Sequence, residues 1–244
     1  MKKLIIIFLL FSNIIFASDF EINFGTSFGC SAEFTYIKGD IPLWLGYQDG
    51  NRVDGGATVN AFVLIGRNYK ILNEKLTSIS VLFDTGYNFY IRNRTYEPKY
   101  NEYSSYIYHS LILGGLVKLN FYKGISFGVG GGILFPFYSA TDKEDWMLGI
   151  YKNISKFTYE KISYMYKVPI MPYIKLNLEK HIYLSEKWSL IAGLNILYNF
   201  GMEFNMDRLK NPMYTSFTHD GYGEYKFSSL SFEMVLGFGF GRPK

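Results

Sequence analysis

Apolar residues in this chain recur at every second position over long stretches. In residues 79–91 the odd positions read Ile79, Val81, Phe83, Thr85, Tyr87, Phe89 and Ile91, against Ser80, Leu82, Asp84, Gly86, Asn88 and Tyr90. Successive side chains of a strand point to opposite faces, so one face here is apolar and aromatic and the other mostly small or polar. The same alternation runs through 105–121, with Ile107, Leu111, Leu113 and Val117 opposite Ser110, Gly114, Lys118 and Asn120. In 125–137, Ile125, Phe127, Val129 and Ile133 alternate with Ser126, Gly128, Gly130 and Gly132. Residues 162–178 place Ile162, Tyr164, Tyr166, Val168, Ile170 and Ile174 opposite Lys161, Ser163, Lys167, Lys175 and Asn177. Segments 188–204 and 225–240 repeat the pattern, and 20–29 and 58–66 carry it more weakly, so eight strands are predicted. No window shows the spacing of an amphipathic helix convincingly.

The connections alternate in length. Residues 38–56, 93–104, 139–160 and 205–223 are long and rich in Asp, Asn, Gly and Lys, whereas 67–78, 122–124 and 179–187 are shorter. Even strand number, with long loops at one end and short turns at the other, predicts an all-β fold: an eight-stranded antiparallel up-and-down transmembrane β-barrel. Both chain ends then lie at the short-turn, periplasmic end. The count rises to ten if 146–159 forms an extra hairpin.

The chain opens with Met1-Lys2-Lys3, an apolar run from Leu4 to Phe11, and Ala17 ahead of Ser18-Asp19. That is the layout of a secretory signal peptide, expected over 1–17, with the barrel domain over 18–244. The rival reading is an uncleaved anchor, but the apolar core is interrupted by Ser12 and Asn13 and falls short of the roughly 20 residues a spanning helix needs. Beyond residue 17 no apolar stretch reaches 18 residues. A membrane-embedded form must therefore be a closed barrel, since only helices and closed barrels satisfy every backbone group in lipid. Cys30 is read as a small strand residue, because it lies well past the apolar core and lacks a lipoprotein context.

Composition decides which way the faces point. Charged residues make up 19% and aromatic residues also 19%, with 24 Gly. A barrel in water would carry Lys and Glu on its outer face. Here the weaker face mixes glycines with Asp84, Lys118, Lys167, Lys175 and Glu233, a composition suited to a narrow lumen. The apolar face ends in rings such as Tyr87, Tyr164, Trp188, Tyr198 and Phe240, as interfacial girdles do. A soluble barrel is the competing arrangement. Net charge falls from +4 to +2 once Lys2 and Lys3 leave with the leader, which gives no case for nucleic-acid binding. One cysteine excludes an internal disulfide framework and a cysteine-based zinc site.

The last strand ends in Met234, Leu236, Phe238 and Phe240, an amphipathic run closing on an aromatic residue. In this the chain resembles small bacterial outer-membrane barrels of the OmpA, OmpX and OmpW type. The resemblance implies recognition of these four residues by the barrel-assembly machinery, and residence in the cell outer membrane among lipids and lipopolysaccharide-like glycolipid. It is architectural. Val235 stands where such strands commonly have glycine, and Gly241-Arg242-Pro243-Lys244 follow the final Phe.

Candidate chemistry is thin. His109-Ser110 invites comparison with lipid A deacylases, but their His and Ser lie two apart on one face, whereas here Ser110 takes the opposite face. His219-Asp220 reads as a polar loop pair, and His181 is placed in a short turn. No two histidines have metal-ligand spacing, and no cofactor, metal or catalytic residue is assigned. The run from Gly128 to Gly132 lacks the following helix a phosphate loop needs. Inward charges should pair or stay hydrated, because isolated charges in a confined site are costly. Asp84, Glu233, and with them Glu21 and Glu203, would face Lys118, Lys167 and Lys175, either as a plug of salt bridges or as a gated pore. The favoured role is non-enzymatic: a barrel presenting surface loops (Trp44, Tyr47, Trp146, Tyr151, Tyr214) to host, matrix or other cells. The alternative is a narrow porin-like channel or an OmpW-like conduit for small or apolar solutes.

Overall fold

The computed structural model describes residues 20–38, 50–71, 75–97, 102–141, 155–205 and 224–241. The leader, the five loop aromatics named above and His219-Asp220 lie outside these segments.

Alternation becomes wall. The strands are β1 (Phe20–Lys38), β2 (Gly50–Lys70), β3 (Leu76–Glu97), β4 (Glu102–Phe121), β5 (Ile125–Thr141), β6 (Ser155–Thr158), β7 (Met171–Tyr183), β8 (Trp188–Asn199) and β9 (Glu224–Phe240). All but β6 form an antiparallel barrel, with each strand beside its neighbour and β9 closing on β1 from Ile22↔Phe240 to Lys38↔Glu224. The barrel therefore has eight wall strands, and closure leaves none of them with an unpaired edge along the membrane. Strand β6 pairs with β5 above the point where β7 begins, so it extends the long-loop rim without adding a stave. A tight turn at Tyr122–Gly124 joins β4 to β5, with Lys123 (φ 64°) and Gly124 (φ 78°) in the left-handed region that two-residue hairpin turns require.

The faces point as the composition argued. Phe83, Leu194 and Leu236 are each more than half exposed, while Asp84 and Lys118 are wholly buried. Rings end the apolar belt: Trp188 packs edge-on against Phe240 at 5.1 Å between centroids, and Tyr198 against Phe200 at 5.0 Å. The eleven residues from Trp188 to Tyr198 span about 25 Å at the usual rise and tilt, the height of a barrel's lipid belt.

One expected strand is different. Residues 162–178 do not run as a single stave: 159–165 form a short helix, α1 (Tyr159–Met165), and β7 starts only at Met171. Ile162 and Met165, three apart, fall on one helical face and are buried, whereas Tyr164 is exposed. The run of alternate apolar residues mimicked a strand, yet Pro169 has no N–H to give a ladder. Strand β8 likewise stops at Asn199, not at 204, because Gly201 turns the chain inward at φ 65°. Lys167 and Glu203 accordingly sit on the rim and not in the lumen.

Glycines shape the interior at one place. Gly114 pairs with Gly132 on the inward face, and the Tyr173 hydroxyl lies against Gly114. A Cβ at Gly114 would strike the Tyr173 hydroxyl and come within 2.6 Å of the Gly131 carbonyl oxygen. Gly114→Val should lower the unfolding free energy by about 1–3 kcal/mol through overpacking. Urea unfolding from lipid vesicles measures it, and an unchanged midpoint would show that the space at Gly114 is not filled.

Candidate functional site

The polar interior is layered from the short-turn end upward. In the lowest layer the Lys118 ammonium from β4 lies 3.0 Å from Glu21 Oε1 on β1 and 3.1 Å from Glu179 Oε2 on β7, with all three side chains essentially buried. Neutral donors complete the carboxylates. Asn23, Asn68 and Ser80 donate to Glu21, and Asn177 donates to Glu179. His181 sits beside Glu179 with Nε2 at 3.4 Å, and its Nδ1 is 3.0 Å from Ser189 Oγ. A hydroxyl, an imidazole and a carboxylate in a row have the order of a nucleophilic relay. Ser189 is nevertheless buried at 2% exposure inside a filled layer, with no route for a substrate.

Above it lies Glu233 on β9, which accepts from Ser27 at 2.8 Å, Asn60 at 3.0 Å and Asn195 at 3.3 Å. Among the described residues these donors are all neutral. Asp84 on β3 forms an ion pair with Lys175 on β7 and accepts from the Tyr173 hydroxyl at 3.2 Å. These side chains line a cavity of about 30 Å³, room for one or two waters bridging polar groups.

The long-loop end is closed by apolar packing. Ile162 and Met165 of α1, with Tyr166, Met202 and Phe204, fill the mouth against Tyr90, Tyr106, Tyr108 and Phe227 of the wall. The Tyr108 and Tyr166 hydroxyls are 2.7 Å apart, which satisfies both inside the plug. Arg92 donates to Thr35 Oγ1 at 2.7 Å and lays its guanidinium 4.3 Å from the Phe227 ring centre, a cation–π contact.

Outside, at the top of the low wall, Glu203 faces two ammonium groups: Lys167, in close contact, and Lys226 at 3.5 Å. Partial burial works against its charge, but hydrogen bonds and attraction from Lys167, then Lys226, outweigh it and hold this carboxyl below its ordinary value of 4.5.

Of the residues singled out in the sequence, Asp84, Lys118, Lys175 and Glu233 lie in the lumen, where only Asp84 and Lys175 pair with each other. Lys118 instead pairs with Glu21 and Glu179. Lys167 pairs on the rim. His181 is not in a turn: β7 runs on to Tyr183 and points it, with Glu179, into the lumen. The signal was present, since the parity of Lys175 and Asn177 continues through Glu179 and His181. Glu33 and Arg92, also buried, were missed where strands outlast their apolar runs. His109 faces outward, its Nδ1 bonded to the Tyr87 hydroxyl and its ring 5.0 Å from that of Tyr138, while Ser110 is buried on the other face. Among the described residues no three His, Cys, Asp or Glu converge as a metal site. Met234, Leu236 and Phe238 point outward from the closing strand, Phe238 stacking on Phe24.

No family model matches the chain, and no curated protein matches its sequence. Among solved structures it is similar to Neisserial surface protein A, with 9% identity over 89% of this chain and 97% of that one and a TM-score of 0.41. It is also similar to the outer membrane protein OprG from Pseudomonas aeruginosa, with 10% identity over 92% and 95% and a TM-score of 0.37. A third is the outer membrane protease OmpT from Escherichia coli, with 8% identity over 91% and 95% and a TM-score of 0.37. At these values no role or residue passes from them to this chain. Its own closure, apolar exterior and ionic interior make it a closed eight-stranded β-barrel whose wall faces lipid.

Proposed function

We propose that the barrel is a closed, non-conducting membrane anchor for its long loops, with a non-enzymatic role in envelope structure or in contacts with other surfaces. The observation that carries this is the filling of the lumen at two separate heights: the Lys118 ion cluster below and the α1 plug above. Opening a path would require uncompensating buried charge and withdrawing a packed apolar group, both costly. Aromatics among charges in the loops suit contact surfaces. The terminal run from Met234 to Phe240 serves in this reading as the assembly signal. In planar bilayers the wild type should stay silent, and so should a variant with a neutral lower layer, Lys118→Met with Glu21→Gln and Glu179→Gln. Steady single-channel steps from the wild type would sink the proposal.

One observation favours the second reading, a conduit for apolar solutes. Strands β7 and β8 have 13 and 12 residues, against 17 to 22 for the other wall strands. Above the low wall, a groove is lined both by inward Phe227 and by outward Phe200. Faster uptake of a small apolar dye by vesicles containing the barrel than by empty vesicles supports it; equal rates speak against it.

A further inference from the structure

The groove above the low wall has features that a passage alone does not need. It measures about 370 Å³ and is lined on its outer side by Phe34, Tyr36, Tyr198, Phe200, Lys226 and Ser228. The chain makes it by ending β8 at Asn199 and folding inward at Gly201, so the outward side of β9 above Ser229 lacks a β8 neighbour. Rings therefore flank a trough whose upper end carries charge. Lys226 and Lys167 converge there on the Glu203 carboxylate. Tyr198 donates its hydroxyl proton to Ser228 Oγ at 3.3 Å, which leaves the serine proton to be given to something else.

Height fixes the kind of ligand. Lys226 lies 14 residues along β9 from the girdle residue Phe240, about 35 Å at the usual rise and tilt. The hydrocarbon core is about 30 Å thick, so the ammonium stands at headgroup level with its ladder partner Tyr36, while Phe34, opposite Ser228, and Tyr198, opposite Leu230, lie lower, toward the acyl chains. Ammonium groups and a hydroxyl donor at that depth suit a phosphate, and the trough beneath suits a chain attached to it.

The geometry points to a docking site for one phosphorylated, acylated glycolipid of the outer leaflet, its phosphate on Lys226, Lys167 and Ser228 and one acyl chain descending along Phe34, Phe200 and Tyr198. This rests on the barrel's residence in the outer membrane but not on its being non-conducting. It names where the surrounding glycolipid would be held, and the held lipid would cover the low side of the wall.

Native mass spectrometry of the full chain in detergent tests it, with diphosphorylated lipid A, its dephosphorylated form, and zwitterionic phospholipid as probes. One lipid A per barrel is expected, at least tenfold tighter than either other lipid. Lys226→Ala combined with Lys167→Ala should remove most of that preference. Phe200→Ala should weaken both forms of lipid A alike. Lys180→Ala, at the short-turn end, serves as the control and should leave binding unchanged. Heat-modifiable migration in gels verifies that each variant is folded. Equal binding of phosphorylated and dephosphorylated lipid A, preference for phospholipid, or undiminished preference in the folded double-lysine variant would overturn the proposal. Bilayer silence or conductance leaves it untouched, so its failure is separable from failure of the anchor reading.

Discussion

Lys118→Met is expected to lower the barrel's stability by about 3–5 kcal/mol, the usual result of breaking a buried ion cluster from one side. Glu21 and Glu179 would keep their neutral donors, Asn23 and Asn177 among them, but lose the cation at 3.0 and 3.1 Å from their carboxylates. Two buried acids would then face each other in a lumen with no bulk water to screen them. Methionine keeps most of the volume, so the loss reports charge and not a cavity. Adding Glu21→Gln and Glu179→Gln should recover most of the stability, because a neutral layer has no uncompensated charge to bury. The non-additivity is the signature. Urea-unfolding midpoints in vesicles decide it. If the triple variant is weaker than the wild type by the sum of three independent losses, the three residues do not act as a unit.

Leu194→Arg should cost about 2–4 kcal/mol, the penalty for a cation on the lipid face near the bilayer midplane. Leu194 is 54% exposed and lies six residues above Trp188 on β8, about 15 Å up a belt of about 25 Å. Tyr69→Arg, on the outer face near the short-turn end, should cost no more than about 1 kcal/mol, since its charge reaches headgroups. In a barrel surrounded by water both changes would be nearly neutral, because exposed arginine costs nothing there. The pair of measurements therefore reports the solvent around the wall. Equal and small effects at both positions would refute membrane residence.

Much of this architecture was open to inspection in the primary structure because a strand leaves no freedom about faces. Once Phe83 points out, Asp84 points in, and the same parity carries Lys118, Lys175 and Glu233 inward without any knowledge of neighbours. The extent of each strand was less clear. Parity alone could not show that β7 runs to Tyr183, bringing Glu179 and His181 inside, because Glu179 and Lys180 look like turn residues. Nor could it separate the alternation of 162–168 from a helix turn, since a seven-residue helix is too short to display its period. Lys167 was misplaced for that reason, and Glu203 because Gly201 ends β8 early; their pairing on the rim follows from where the wall stops.

The one-dimensional pattern thus determined the fold class, the number of staves, the outward grease and the inward ions, all consequences of a side-chain period of two. The partnership of those ions was decided only in three dimensions. Lys118 meets Glu21 and Glu179 across the lumen, from strands that are not its ladder neighbours, and closure and shear alone set which heights face each other. The plug was decided there too, because Ile162 and Met165 are buried only after a low wall leaves them a mouth to fill.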